Sequence, residues 1–225
     1  MNIKKIASTT LQFLINRLIE IIGATTALLG ILLLAALVSY SPSDPNFIFP
    51  DNTKIKNILG VQGSYISDLF FQSIGIIAYL LSFTYLVTGI NIFRNKNLFI
   101  IIENTFFSII YCIFGSIFFD FFYKNTFELH INGNGGFIGQ YLNQTFVGDI
   151  LKLQTSFSYY TLVIFIFIFF LISINFSPKK FLDFIKKLIN YINKSKNKPY
   201  TDKSEIISEY IPQEEIKNLI QEDLP

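Results

Sequence analysis

The sequence predicts an all-α membrane protein: four transmembrane helices, an outer glycine-rich loop and a cytoplasmic basic juxtamembrane helix. Residues 21–38 run without a charge, and further apolar segments follow at 69–93, 98–119 and 159–174. As helices rising about 1.5 Å per residue, segments of this length match a hydrocarbon layer roughly 30 Å thick. The chain is 51% hydrophobic and 15% charged, well below the roughly 25% charge of soluble domains. Backbone groups in lipid must be satisfied internally, so only helices or closed barrels span it, and these runs lack the alternation of barrel strands.

The first 20 residues read as an amphipathic lead into the membrane, with Leu11, Phe13, Leu14, Leu18 and Ile19 apolar and Arg17 and Glu20 near headgroups. The first span carries Gly23, Ala24, Ala27, Gly30 and Ala35, small residues that let helices approach closely. Ala27 and Gly30 are the candidate packing contacts of this span, and Gly75 is the candidate on the second, where Gly75 and Gly89 mark either close helix contacts or modest bends. Pro42 and Pro45 end the first helix, because proline lacks the amide donor and disfavours helix in the residue before it. Residues 46–58 follow as an external loop.

Asp68 is expected at the entrance of the second span as an interfacial cap. Residues 91–98 form a tight connection, so the second and third spans make an antiparallel hairpin. Glu103 and Asn104 are expected at the membrane surface, where their polar groups stay hydrated; a buried ion-coupling Glu103 is the alternative. Tyr40, Tyr79, Tyr111, Tyr159 and Tyr160 are candidates for an interfacial aromatic belt. Residues 120–158 form the largest external loop, with Gly133, Gly135, Gly136 and Gly139. A flexible loop, or a helix dipping along the outer leaflet, accounts for residues 139–153.

The charges set an orientation. All of the 18 basic residues except Lys54, Lys56, Lys124 and Lys152 fall in the N-terminal arm, the second-to-third connection and the tail. The positive-inside rule makes that side cytoplasmic, with both chain ends on it. The domains read as a four-span region at 1–178, a basic amphipathic segment at 179–198 and an acidic tail or linker start at 199–225, with a short helix near 212–221. Lys179, Lys180, Lys186 and Lys187 are candidate contacts for anionic lipid headgroups. Direct DNA binding by so short a patch is not expected.

Chemistry leaves little trace. Cys112 is the single cysteine and lies in an apolar run; His130 is the single histidine and has no ligand-spaced neighbours. The glycine-rich stretch fits neither a dinucleotide-binding strand–glycine–helix pattern nor the Gly-Lys-Ser/Thr end of a phosphate loop. No cofactor, metal site or catalytic group is expected.

Ser39-Tyr40-Ser41-Pro42-Ser43-Asp44-Pro45, directly after the first span, resembles the N-terminal four-span region of bacterial FtsK/SpoIIIE-type DNA translocases. The stretch from Asn57 through Gly60, Gly63, Asp68 and Gly75 resembles that family's entry into its second span. Gly89 with Asn91-Ile92-Phe93-Arg94 resembles the end of that span, and Gly135-Gly136-Phe137-Ile138-Gly139 resembles its later glycine-rich loop. The resemblance covers about residues 15–178. It implies a bacterial inner-membrane anchor at the division septum, homo-oligomeric, attached to a cytoplasmic hexameric ATPase that moves chromosomal DNA. The motor's nucleotide motifs are not among these 225 residues, so a non-catalytic membrane domain is expected, whether a shortened or split product or an isolated anchor. Division proteins or a separately encoded motor are the expected partners. A small membrane transporter using Glu103, or an unrelated membrane assembly factor, is the competing reading.

Overall fold

The computed structural model describes residues 3–46, 54–124 and 132–179, together with residues 182, 183, 186, 187, 189 and 190. These fall into two units, Met1–Phe176 and Ser177–Pro225. The first holds seven α-helices: α1 (Ile3–Val38), α2 (Gly60–Ile74), α3 (Ala78–Asn95), α4 (Phe99–Tyr123), α5 (Gly136–Asn143), α6 (Phe146–Leu153) and α7 (Thr155–Ser173). Four candidate spans emerge, at Ser8–Val38, Gly60–Asn95, Phe99–Tyr123 and Thr155–Ser173. Among the described residues there is no strand.

The second span is where the structure departs most from the sequence reading. Gly75 has φ 73° and ψ −151°, a backbone region open essentially to glycine alone. It stops α2, and a single 3-10 turn (Gly75–Ile77) redirects the chain into α3. The expected continuous helix over 69–93 is therefore two helices. The 18 residues of α3 give about 27 Å, enough to cross the hydrocarbon alone. α2 packs instead at the end of the bundle where α1 finishes. There Tyr40 meets Phe71 edge-on at 4.9 Å, and Ser116 of α4 donates to the Ile74 carbonyl at 2.9 Å.

α1 and α3 run antiparallel along an extended seam. Gly23 lies against Phe93 and Gly89, Ala27 against Gly89, and Gly30 against Leu86 and Ser82. α3 ends at Lys96, which adopts the left-handed conformation (φ 54°) and returns its amide to the Ile92 carbonyl at 2.8 Å, a usual way to close a helix. α4 then runs antiparallel to α3, and α7 returns along α4. That last contact is aromatic, with Phe114 and Phe165 at 5.3 Å, Phe118 and Tyr159 at 5.2 Å, and Phe122 and Tyr159 at 5.1 Å. Ring pairs at these spacings add to simple area burial. The rest of α7 is largely exposed, as a lipid-facing helix would be.

The described part of the region read as a loop over 120–158 is mostly helical, and over residues 139–153 the helical alternative holds, as α5 and α6. Thr145 caps α6, its side chain accepting from the Val147 amide at 3.4 Å. Residues 125–131, with His130, lie outside the described residues. In the second unit, residues 182, 183, 186, 187, 189 and 190 are helical and exposed.

Candidate functional site

Two polar constructions and one packing seam organise this domain. The first construction closes the end of α1. A helix leaves its last four carbonyls without intrahelical partners, and in a membrane water does not reliably supply them. Here the chain supplies donors. Ser39 covers the Ala35 carbonyl through its hydroxyl at 2.6 Å, the Asn57 amide group donates to the Ala36 carbonyl at 2.9 Å, and the Tyr79 hydroxyl donates to the Leu37 carbonyl at 3.1 Å.

Asp44 is the anchor that makes this possible. Its carboxylate accepts the Lys56 amide at 3.0 Å and the Asn57 amide at 2.8 Å, which brings the far end of the loop back to α1. Ser64 adds a bond to the Pro45 carbonyl at 2.7 Å. Asp44, Asn46 and Asn57 are buried; the described parts of this loop are thus packed structure rather than an external tether.

Asp68 lies inside α2 and is 3% exposed, which corrects its expected place as a hydrated cap. Its carboxylate accepts from the Tyr40 hydroxyl and from Gln72, both at 3.4 Å. Burial first, and then the nearby Asp68 charge, push the Tyr40 phenol up to about 12. Tyr40 therefore stays protonated, as a donor to that carboxylate.

The glycine-rich segment completes this polar cap. The Asn134 carbonyl accepts the Ile76 amide at 3.0 Å. Gly136 packs on the Ser73–Gly75 backbone, while Gly135 and Gly139 pack on Ser116 and Asp120. Asp120, expected in a loop, is buried in α4, where it accepts from Asn143 of α5 at 2.8 Å and lies 3.8 Å from Lys124. Such close backbone approach needs glycine, so these residues build a joint rather than a flexible loop.

The second construction lies between the spans. The Tyr111 and Thr84 hydroxyls are 2.8 Å apart, and Thr84 lies 3.3 Å from the Ser173 hydroxyl, linking α4, α3 and α7. Asn104 donates to Thr88 at 2.8 Å and is 1% exposed. Asn104 is thus an interhelical strut and not a hydrated surface residue, and Tyr111, fully buried, is not part of an aromatic belt. Glu103, by contrast, is on the exposed face of α4.

The sequence-named packing residues are all found in contacts within the chain. Ala27 and Gly30 lie on α3, and Gly75 meets the Asn134–Gly135 backbone rather than another span. Of the two readings of Gly75, a helix contact or a bend, the backbone shows the bend. Near the middle of α1, Glu20 pairs with Arg17 at 2.5 Å and with Lys96 at 3.0 Å. Lys179, Lys186 and Lys187 are exposed; Lys180 lies outside the described residues. Cys112 is buried. Among the described residues no group of three or more His, Cys, Asp or Glu converges on a metal position.

Sequence reasoning missed Asn57, Asn104, Asn134 and Ser116 as structural polar residues. Their partners are mostly far away in the chain, and no local motif announces them.

Together these features define a polytopic helical membrane domain closed at one end by a buried polar cap. The profile described as the 4TM region of DNA translocase FtsK/SpoIIIE matches residues 16–188, and the chain belongs to that family. It is similar to a DNA translocase FtsK of Rickettsia bellii (strain RML369-C), at 29% identity over 85 residues, 38% of this chain and 11% of that protein. It is also similar to a DNA translocase FtsK of Azospirillum brasilense, at 33% identity over 82 residues, 36% of this chain and 13% of that protein. The matched stretch is thus a small part of each curated relative. No solved structure matches the chain.

Proposed function

We propose that this domain is the inner-membrane anchor or scaffold of a DNA translocase acting in cell division and chromosome segregation. The observation that carries the reading is the match of residues 16–188, all four spans included, to the 4TM region of that family. In this reading both termini are cytoplasmic, the domain is a homo-oligomer at the division septum, and its partners are the bilayer, division proteins and a motor. ATP hydrolysis is not a property of these residues. One feature of the structure supports a scaffold: the hydrogen bonds of Tyr111 with Thr84, of Asn104 with Thr88 and of Ser116 with the Ile74 carbonyl tie its helices together. The lysines at 179, 180, 186 and 187 contact anionic headgroups just inside the membrane.

The test is localisation of the full chain, as a fluorescent fusion, in dividing bacterial cells, with in vivo crosslinking. A septal band and crosslinks to division proteins or a motor are expected. Uniform membrane fluorescence without such crosslinks would remove the septal role. Reporters placed at residues 5 and 198 should read cytoplasm, and one at residue 52 periplasm.

A further inference from the structure

Three aromatic rings wall a small cavity where α4 ends and α7 begins. Tyr159 of α7 meets Phe122 of α4 edge-on at 5.1 Å and Tyr160 edge-on at 5.5 Å, with interplanar angles of 86° and 84°. Both neighbours thus stand nearly at right angles to it. Tyr159 is itself held in place by Phe118, at 5.2 Å between ring centres, and by the Tyr123 hydroxyl, 3.0 Å from its own. These three rings, with Thr155 and Ser156, line a cavity of about 210 Å³ that opens to the surface. Thr155 and Ser156 are exposed, and among the described residues neither hydroxyl has a hydrogen-bond partner.

An aromatic ring has a negative face and a positive edge, and a cage of such rings attracts an ammonium group. No residue of the lining is charged. A lone cation would therefore enter without a counter-charge, whereas a zwitterion brings its own, and the two hydroxyls are donors for its anionic half. The position in the domain narrows the choice further. Tyr123 closes one candidate span and Thr155 opens another, so the cavity lies at headgroup level, where tyrosine rings concentrate in membrane proteins. Deeper along α7, Val163 and Phe167 follow Tyr160 at helical spacing and are 40% and 60% exposed. The cavity thus continues into a lipid-facing strip, and a phospholipid whose acyl chain lies on that strip carries its headgroup to the rings.

We propose that Phe122, Tyr159 and Tyr160 form a binding site for a zwitterionic phospholipid whose headgroup ends in an ammonium. The ammonium sits among the rings, and the phosphate accepts from the Thr155 and Ser156 hydroxyls. Tyr123 is a positioning residue that fixes the Tyr159 ring. The site needs only a bilayer, so septal localisation has no bearing on it.

The test uses the full chain purified in detergent and titrated with phosphatidylethanolamine or phosphatidylglycerol of identical acyl chains, the bound lipid being counted by native mass spectrometry. The parent protein is expected to hold one phosphatidylethanolamine more tightly than phosphatidylglycerol. Tyr160 is 67% exposed, so Tyr160→Leu removes a ring without opening the interior. It should weaken phosphatidylethanolamine binding about two- to fivefold, the size of one cation–π contact at an exposed site, and leave phosphatidylglycerol unchanged. Tyr160→Phe, which keeps the ring, should bind as the parent does, and Phe122→Leu should repeat the loss at a second wall. Equal binding of the two lipids by the parent would overturn the proposal and leave the rings as members of a general interfacial belt. A phosphatidylethanolamine preference that survives both leucine variants would overturn it as well. So would full displacement of the lipid by an equal concentration of free phosphocholine, which would assign the cavity to a soluble ligand.

Discussion

The carbonyl of Asn134 accepts the Ile76 amide at 3.0 Å and in doing so presses on the α-carbon of Gly75. A side chain at Gly75 would overlap that carbonyl, and the φ of 73° would strain it independently. Gly75→Ala should therefore destabilise the domain by about 1–3 kcal/mol from backbone strain alone, with the collision adding to it. Thermal unfolding in detergent would show this as a lowered midpoint in protein that still inserts. An unchanged midpoint would mean that the α2–α3 break is not fixed by this contact.

Tyr111 and Thr84 offer a cleaner measurement, because both hydroxyls are buried and face each other. Tyr111→Phe, Thr84→Val and the double variant form a cycle whose coupling should be about 0.6–1.7 kcal/mol, the range found for hydrogen bonds between membrane helices. Zero coupling would show that Ser173, 3.3 Å from Thr84, substitutes as partner.

Tyr40 predicts an alkaline limit. Its phenol is raised from an ordinary 10.0 to about 12 by burial and by the Asp68 charge, with Asp44 adding to it. A raised value means that the fold favours the protonated form, so the associated stability is fully present below pH 10 and lost as pH rises through about 12. Tyr40→Phe should remove that part of the alkaline loss, read as near-ultraviolet circular dichroism against pH. Superimposable curves for the parent and Tyr40→Phe proteins would refute the assignment.

The helical class and the positions of the first, third and fourth spans were legible in the sequence because apolarity over a span length is a local signal. At Gly75 a bend was legible as one of two readings, but a full break was not, since apolar residues continue on both sides of it and only the backbone conformation reveals the turn. The polar cap was hidden for a different reason. Asp68 finds Tyr40 28 positions away and Ser116 finds Ile74 42 positions away, so each looked like an isolated polar residue near a span end. Hydration was the natural expectation for Asn104 as well, and its side-chain NH2 donates to Thr88 instead. The glycines at 135, 136 and 139 were visible as a cluster, but composition alone could not separate a loose loop from a tightly packed joint.

α3 is bounded by a left-handed residue at each end, Gly75 before its entry turn and Lys96 after its last residue. Between them the helix must bring Gly89 to Ala27 and Leu86 to Gly30 in register. One residue added or removed would turn everything beyond it by about 100° and shift it by about 1.5 Å. Side chains would then fall where only glycine fits, while the Lys96 ammonium would swing away from Glu20. The length of α3 is therefore under tighter constraint than its composition: its exposed positions can exchange one apolar residue for another, but no indel within it leaves both ends attached.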